Sequence, residues 1–453
     1  MKRRKFIQNT SLVTFMATMG SSLLMSACKK ESEDIISPPT SSFKGKVIII
    51  GAGASGLYAG LTLKNAGIEY EILEATNHIG GRIRKVEGFA DYTIDMGAQW
   101  LHGENTFLKK IANENNINTY VDWAEWVHQW FEGEWVDSLP EEYAQFKEIA
   151  WGGYENLPDI SFLEYAIQNG FSEDIYKLLE LMASTSGTSA NRVSMRGYAK
   201  EIDKWTYGDE GYWFAESLYD FYDQVVIQKV KENISLNTIV KKVEIIGNEI
   251  SVYDLVGNVR KADKVIICVP IPILKDGDIE FIPALPAEKI DAFSKIGMDQ
   301  GAKVFLKFSE QFYEGSIING SLGTKYVDAG YGKNTNDHVL LTSYFGDQAD
   351  YYNSMTQDDV IQELLADLDS MFNGQATASF QDAIVQNWGQ EPFIRGAYSY
   401  QSVGIGNARE IAASHINKQL FFAGEAMHTE GAYQIIDGAA ETGYLRALEI
   451  ING

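Results

Sequence analysis

Residues 46–82 decide the fold of this chain, and they read KVIIIGAGASGLYAGLTLKNAGIEYEILEATNHIGGR. The apolar run at 47–50 is typical of a buried parallel strand. It leads into the glycine-rich turn GAGASG, after which a helical pattern begins. A second apolar run, at 70–73, ends in Glu74. Strand, glycine turn, helix, strand and acid in this order predict a βαβ unit that binds a dinucleotide.

Each residue of this fingerprint has a physical task. Gly51 allows the tight turn, Gly53 lets the backbone approach a pyrophosphate, and Gly56 lets the helix pack close to the strand. The N-terminus of the helix offers free N–H groups and a positive dipole end to phosphates. Glu74 can accept both hydroxyls of an adenosine ribose. The fingerprint by itself leaves NAD and FAD open.

A second motif follows Glu74 and separates these two cofactors. The turn Gly80-Gly81 ends in Arg82, whose guanidinium can meet a phosphate with bidentate geometry. The order GxGxxG, Glu, GGR resembles the FAD-binding motif of the flavin amine oxidase superfamily. The resemblance implies FAD as cofactor. It also implies an α/β FAD-binding domain (Rossmann-like, GR2-type) with an inserted α+β substrate-binding domain.

Composition narrows the classes of partner. The chain has 453 residues and a formal net charge of −24, so a nucleic-acid partner is not expected. A negative charge of this size would attract a cationic substrate. A requirement for solubility alone would also explain the charge. The six histidines show no metal-ligand spacing, and no metal is expected. The two cysteines, Cys28 and Cys268, do not suggest a structural disulfide.

The N-terminus has the features of an export signal. A basic segment at 2–5 precedes a mild apolar stretch at 11–27 that is too short for a stable membrane span. Residues 25–28, MSAC, resemble a lipobox, which implies a signal peptide over 1–28 with a lipid on Cys28. We therefore expect an exported bacterial lipoprotein, anchored to a membrane by lipid alone and facing the periplasm or cell surface. The pair Arg3-Arg4 resembles a twin-arginine signal, and an ordinary Sec signal stays open.

The remaining chain divides into alternating blocks. Residues 29–43 are polar with two prolines and predict a flexible tether. Strand-like and glycine-rich patterns assign 44–100, 220–270 and 396–453 to the FAD-binding domain. The family resemblance implies that the two segments between these blocks, residues 101–219 and 271–395, form the substrate-binding domain.

Residues 95–103, DMGAQWLHG, resemble the GA-x-W-[IL]-HG segment of the polyamine oxidase branch. In that branch the backbone of Gly97 and Ala98 lies beside the isoalloxazine, and His102 lines the amine site. A histidine in a segment bounded by glycines, here Gly97 and Gly103, can come close to a ligand because backbone crowding is low. A loop histidine with local hydrogen bonds is the alternative for His102.

Lys303 lies in the strand-like run GAKVFLKF at 301–308. Strand alternation puts Lys303, Phe305 and Lys307 on one face. On this pattern alone Lys303 is a solvated strand residue. By resemblance it matches the lysine that holds a water near flavin N5 and favours the reaction of reduced flavin with oxygen.

Residues 388–399, WGQEPFIRGAYS, resemble the family motif W-x-x-[DE]-P-x-x-x-G-[AS]-Y-[ST]. The resemblance implies that Trp388 packs near the flavin and that Tyr398 forms one wall of an aromatic cage for the amine. Aromatic faces suit an amine in both its neutral and cationic forms. Monoamine oxidases carry a flavin-linked cysteine at the position of Ala397. The chain has no thiol there, so we expect non-covalent FAD.

The segment 423–439 matches the closing part of the family pattern. By resemblance Glu425 bonds ribitol hydroxyls, and the helix that begins near Asp437 points its positive end at the flavin O2/N1 region. The second cage aromatic of the family aligns with Ile435, so the cage is incomplete. Tyr433 is a candidate replacement. Val240 matches the residue whose backbone meets the adenine.

These motifs define the expected site. The residues expected in catalysis are Lys303, His102, Tyr398 and Trp388. The residues expected to bind FAD are Gly51, Gly53, Ala54, Ser55, Gly56, Glu74, Ala75, Gly81, Arg82, Gly97, Ala98, Gln99, Trp100, Val240, Gly424, Glu425, Ile435, Ile436 and Ala439.

The expected activity is oxidation of a polyamine or related amine to an imine, with O2 reduced to hydrogen peroxide. An L-amino-acid oxidase is one alternative, although its carboxylate-binding arginine falls on Trp100 here. Arg395 or Arg196 could replace that arginine. A non-catalytic flavoprotein, or a desaturase or porphyrinogen-type oxidase of the superfamily, is the other alternative.

Overall fold

The computed structural model describes residues 41–121 and 127–453. The expected signal segment 1–28 and the tether up to residue 40 lie outside the described residues. Within the described ranges no helix combines the length and apolarity that a membrane span requires.

The helices lie between and around the strands. Their bounds are α1 (Ala54–Asn65), α2 (Phe107–Glu114), α3 (Glu141–Trp151), α4 (Phe162–Gln168), α5 (Tyr176–Ser184), α6 (Met195–Lys204), α7 (Leu218–Tyr222), α8 (Gln228–Val230), α9 (Ile271–Lys275), α10 (Ala287–Lys295), α11 (Gly346–Asn353), α12 (Gln357–Phe372), α13 (Gln375–Ser379), α14 (Ala408–Ala413) and α15 (Ile436–Asn452). A π-helical turn, Asp223–Ile227, joins α7 to α8.

The strands form sheets of different character. Their bounds are β1 (Lys46–Ile50), β2 (Glu69–Leu73), β3 (Lys85–Val86), β4 (Ile94–Asp95), β5 (Trp100–His102), β6 (Thr119–Val121), β7 (Val127–Phe131), β8 (Glu134–Val136), β9 (Gly211–Phe214), β10 (Ile234–Ser235), β11 (Val240–Ile246), β12 (Glu249–Asp254), β13 (Val259–Ala262), β14 (Lys264–Ile267), β15 (Glu280–Ile282), β16 (Gly297–Met298), β17 (Gly301–Phe308), β18 (Ser316–Asn319), β19 (Thr324–Asp328), β20 (His338–Phe345), β21 (Phe380–Asn387), β22 (Ser399–Tyr400) and β23 (Leu420–Phe422).

A parallel sheet in the order β10-β2-β1-β14-β23 is the centre of the first region. Strands β1, β14 and β23 are nearly continuous apolar runs because both faces of the sheet are covered. Val47 and Ile49 pack on the side of α1 and α15. Ile48 and Ile50 pack on the other side, against the mixed sheet β13-β12-β11-β15. The topology is therefore the doubly covered α/β arrangement that the fingerprint predicts.

Helices α1 and α15 pack with their backbones in close approach. A Cβ atom on Gly443 would lie 1.9 Å from the carbonyl oxygen of Ser55. One on Gly56 would lie 1.9 Å from the carbonyl oxygen of Gly51. Only glycine fits at these two contacts: the first brings the middle of α15 against the N-terminal end of α1, and the second brings α1 against the turn after β1.

The second region is built on a seven-stranded sheet in the order β21-β17-β20-β19-β18-β7-β8. Val304 and Leu306 of β17 pack under α12, against Leu364. Phe305, on the opposite face of the same strand, joins a separate apolar cluster. Helices α3 to α6 form a further apolar cluster beside the sheet.

The border between the two regions differs in detail from the expected blocks. Phe293 of α10 and Ile271 of α9 share a core with Val243 and Phe422 of the nucleotide-binding sheets. Helix α2 likewise packs through Leu108 into the core around α1 and α15. The structure thus places residues 271–296 and 107–114 with the nucleotide-binding core rather than with the seven-stranded sheet.

Candidate active site

A cavity of about 550 Å³ runs from the glycine-rich turn to the seven-stranded sheet. Its size lies within the range of small-molecule and cofactor sites. The residues that the sequence assigned to the site line this cavity, with Gly56 as the exception. Gly56 instead supports the turn from below, because α1 can approach Gly51 only without a side chain there.

The dinucleotide end of the cavity has an open backbone cradle. Gly51 has φ +107°, which the turn after β1 requires and which glycine adopts without strain. A Cβ atom on Gly53 or Gly424 would meet no atom within 4 Å, so both positions face free space. Gly53 is the N-cap of α1 and leaves the first N–H groups of the helix directed at that space. These features fit the pyrophosphate of a dinucleotide.

Glu74 stands at the end of β2 with its carboxylate held in place. Its Oε2 accepts a hydrogen bond from the Ala52 amide at 2.8 Å. Its Oε1 accepts from the Thr76 amide at 2.9 Å and from the Thr76 hydroxyl at 2.8 Å. Each carboxylate oxygen has a further lone pair, so Glu74 can still accept the ribose hydroxyls.

Arg82 and Glu425 form an ion pair across the cavity wall. The guanidinium donates to Glu425 Oε1 at 3.2 Å and to the Ala397 carbonyl at 2.6 Å. Glu425 Oε2 accepts from the Ser399 hydroxyl at 2.6 Å. The sequence motifs assigned the two residues to separate parts of the cofactor. The structure joins them, so each fixes the orientation of the other.

Lys303 and Trp388 hold the segment that begins at Asp95. Lys303 Nζ donates to the Gly97 carbonyl at 2.6 Å, to the Asp95 carbonyl at 3.4 Å and to Gln99 Oε1. The Trp388 indole donates to the Met96 carbonyl at 3.1 Å. Burial lowers the pKa of Lys303, and the Asp95 carboxylate opposes that shift. Burial also raises the pKa of Asp95.

The backbone at Gly97 cannot accept a side chain. A Cβ atom there would lie 1.7 Å from the Arg82 carbonyl oxygen and 3.0 Å from the Trp388 ring. The Ala98 amide donates to the same carbonyl at 3.1 Å. Gly97 and Ala98 are therefore held flat against one wall of the cavity, which presents backbone to a planar ligand.

The aromatic wall contains Tyr398, as the sequence predicted, and a second aromatic residue that the sequence did not predict. Tyr398 lines the cavity, and its hydroxyl donates to the Ser184 carbonyl at 3.1 Å. Its ring contacts Phe345, with centroids 5.3 Å apart. Tyr433 does not line the cavity; its hydroxyl donates to the Thr429 carbonyl. Phe345, rather than Tyr433, is thus the aromatic partner of Tyr398.

Sequence reasoning missed Phe345, although a signal for it was available. It closes the strand-like run of β20, in which Leu341, Ser343 and Phe345 alternate toward the cavity. Ser343 pairs with Lys303, and Phe345 pairs with Gly301 in the antiparallel register. Residues at this spacing on β20 therefore lie beside Lys303.

His102 lies in the cavity wall, whereas the two arginines considered as carboxylate ligands lie outside it. His102 ends β5 and lines the cavity. Arg395 binds Asp276 at 2.7 Å and Asp278 at 2.5 Å. Arg196 donates to the Leu157 carbonyl at 2.6 Å. Neither arginine lines the cavity.

Of the two cysteines, Cys268 lies within the described residues, where it forms part of the cavity wall. It is buried, and burial raises the pKa of its thiol to about 12. Among the described residues, no group of three or more His, Cys, Asp or Glu side chains could hold a metal ion. Cys28 lies outside the described residues.

Comparison with known proteins places this geometry in a family. The model of the family described as flavin containing amine oxidoreductase matches residues 54–451. The lysine-specific histone demethylase 2 of Homo sapiens is 27% identical over 451 residues, which cover 89% of this chain and 53% of that protein. Polyamine oxidase 4 of Oryza sativa subsp. japonica is 25% identical over a match that covers 91% of this chain and 88% of that protein. The chain spans about half the length of the demethylases that it matches.

Solved structures show the same fold at low sequence identity. Cyclohexylamine oxidase from Brevibacterium oxydans IH-35A superposes with a TM-score of 0.79 at 19% identity, over 90% of this chain and 99% of that one. Putrescine oxidase bound to putrescine superposes with a TM-score of 0.77 at 20% identity, over the same shares of the two chains. The expected fold class and the expected FAD cofactor are confirmed.

Proposed function

The chain belongs to the flavin-containing amine oxidoreductase family, and on that premise we propose that it oxidises a polyamine or a related primary or secondary amine. The amine becomes an imine that hydrolyses to an aldehyde, and O2 is reduced to hydrogen peroxide. FAD, when bound, supplies the chemistry by accepting a hydride equivalent from the carbon beside the amine nitrogen. The residues of the chain bind and orient the amine and control its protonation.

The observation that carries this proposal is the position of an aromatic pair beside Lys303. Tyr398 and Phe345 line the cavity with their ring centroids 5.3 Å apart. Phe345 is paired with Gly301, two residues before Lys303 on the neighbouring strand. An amine that lies against the open faces of these rings is therefore in the same cavity as Lys303 and the backbone wall at Gly97.

The same wall favours the reactive form of the amine. Only a neutral amine can lose a hydride from the adjacent carbon, and a desolvated pocket lowers the pKa of a bound ammonium group. Aromatic faces attract the ammonium form through the charge distribution of the ring, and they also accept the neutral form. Tyr398 is itself buried, and burial raises the pKa of its phenol. The ring therefore stays neutral and carries no charge into the pocket.

Lys303 is suited to hold a water and move a proton. Its ammonium donates to acceptors at Gly97, Gln99 and Asp95. The bond to the Asp95 carbonyl, at 3.4 Å, is longer and weaker than the bond to the Gly97 carbonyl, at 2.6 Å. A water can replace that contact at low cost. Because burial lowers the pKa of Lys303, the amine form, which can accept a proton, is accessible near neutral pH.

The relatives support an amine rather than an amino acid as substrate. Matching proteins include plant polyamine oxidases, and fold neighbours include putrescine oxidase and cyclohexylamine oxidase. Trp100 occupies the place where an amino-acid oxidase carries its carboxylate-binding arginine. Arg395 and Arg196 are engaged elsewhere, so neither of these two arginines is available to an α-carboxylate, and burying a carboxylate without a partner is costly.

Product analysis tests the proposal. Purified enzyme lacking residues 1–28 is incubated in air with spermidine, spermine, putrescine, a monoamine and an aromatic L-amino acid. We expect equal amounts of aldehyde, hydrogen peroxide and consumed O2 with at least one polyamine and none with the amino acid. Peroxide release with the amino acid alone would refute the amine assignment.

A further inference from the structure

A hydrogen bond joins α6 to the turn before α15, next to the cavity wall. Gln434 lines the cavity and lies in the left-handed backbone region, with φ +66°. Its Nε2 donates to Glu201 Oε2 of α6 at 2.9 Å. The next residue, Ile435, is the N-cap of α15 and also lines the cavity. A non-glycine residue in this conformation has to be held there by its surroundings.

Glu201 is positioned to act through Gln434 rather than on the amine. Gln434 is a cavity residue, but Glu201 lies outside the lining of the cavity and borders a separate small pocket. The Ile435 amide donates to the Tyr433 carbonyl at 2.7 Å, which closes a tight turn around Gln434. Any change of φ at Gln434 therefore moves Ile435 and the start of α15.

We propose that Glu201 is a positioning residue: through Gln434 it holds the left-handed turn that places Ile435 and the N-terminus of α15 against the flavin and the amine. This inference rests on the proposed function only where amine binding is the quantity measured. Ile435 stands where the family has a cage aromatic, so its exact placement decides how closely the wall contacts the amine. The N-terminus of α15 supplies positive potential at the same place.

The test is a double-mutant cycle on the FAD-loaded enzyme. Glu201→Ala removes the anchor, and Gln434→Gly makes the anchor unnecessary, because glycine adopts positive φ without strain. Glu201→Ala should weaken amine binding about 5- to 30-fold, which is the left-handed penalty expressed as an equilibrium constant. In the Gln434→Gly background the same substitution should change binding by less than about twofold. Glu201→Gln, which keeps an acceptor oxygen, should retain most of the affinity.

Lys204→Met is the matched control for general loosening of the same loop. Lys204, also on α6, donates to the Thr429 carbonyl at 2.6 Å, away from the left-handed residue. Any effect of this substitution should be the same in both backgrounds. An equal loss from Glu201→Ala in both backgrounds would overturn the proposal, because the effect of Glu201 would then not pass through Gln434.

A second readout separates this inference from the proposed function. The temperature at which bound flavin is released does not depend on any amine. Glu201→Ala should lower it in the wild-type background and leave it unchanged in the Gln434→Gly background. If no amine reduces the wild-type flavin, the proposed function fails, while the release temperatures still decide whether Glu201 acts through Gln434.

Discussion

Removing the Tyr398 ring tests the aromatic wall most specifically. Gly187 supports the ring from behind, since a Cβ atom there would lie 2.6 Å from it. Phe345 contacts the ring from the side at 5.3 Å. Tyr398→Ala removes the face that meets the amine, whereas Tyr398→Phe removes the hydroxyl bond to Ser184 and keeps the ring.

The expected size of the effect follows from these contacts. A cation or amine over an aromatic face contributes about 0.5–2 kcal/mol when it is partly desolvated. Tyr398→Ala should therefore raise the amine Kd about 2- to 30-fold. Tyr398→Phe should cost about 1 kcal/mol of stability through the lost hydrogen bond and leave the Kd nearly unchanged.

The assay is anaerobic rapid mixing of the enzyme with increasing amine, in which the concentration dependence of flavin bleaching gives the Kd. The unfolding midpoint in urea gives the stability of each variant. If Tyr398→Phe weakens amine binding as much as Tyr398→Ala does, the hydroxyl rather than the ring binds the amine. That result would refute the reasoning.

Three further predictions concern Lys303, Asp437 and Cys28. Lys303→Met should slow reoxidation by O2 about 10²- to 10⁴-fold in stopped-flow absorbance; unchanged reoxidation would contradict its role. Burial raises the pKa of Asp437 to about 7, so the folded state favours the protonated acid. The contribution of Asp437 to the free energy of unfolding should therefore fall as the pH rises from about 4 to about 7. Relative to the wild type, Asp437→Asn should gain about 1.4 kcal/mol per pH unit over that range. A difference between the two unfolding free energies in urea that stays constant across this pH range would exclude this. Cys28→Ala should abolish incorporation of labelled fatty acid and membrane recovery; labelling that persists would exclude Cys28 as the lipidated residue.

The sequence predicted the nucleotide-binding half because its signals are local. The strand at 47–50, the glycine turn and the acid at the end of the next strand occupy one short stretch, and they appear as β1, α1 and β2 with Glu74 in place. Lys303 was located by a strand pattern together with family resemblance. Its approach to Gly97 joins segments that are distant in the chain.

The interactions that sequence reasoning missed depend on long-range packing. The contact of Tyr398 with Phe345 requires both the register of β17 with β20 and the pairing of β22 with β16, which no local pattern fixes. The hydrogen bond from Gln434 to Glu201 joins two helical regions that are far apart in the chain. Tyr433 was considered a cage residue because it lies near Ile435 in sequence. The left-handed Gln434 between them separates the directions of the two side chains.

Anaerobic titration of the bound flavin with spermidine and, separately, with an aromatic L-amino acid tests the central claim most directly. The account predicts that a polyamine bleaches the flavin absorbance stoichiometrically and that air restores it with release of hydrogen peroxide. Bleaching by the amino acid but by none of spermidine, spermine, putrescine or a monoamine would contradict it.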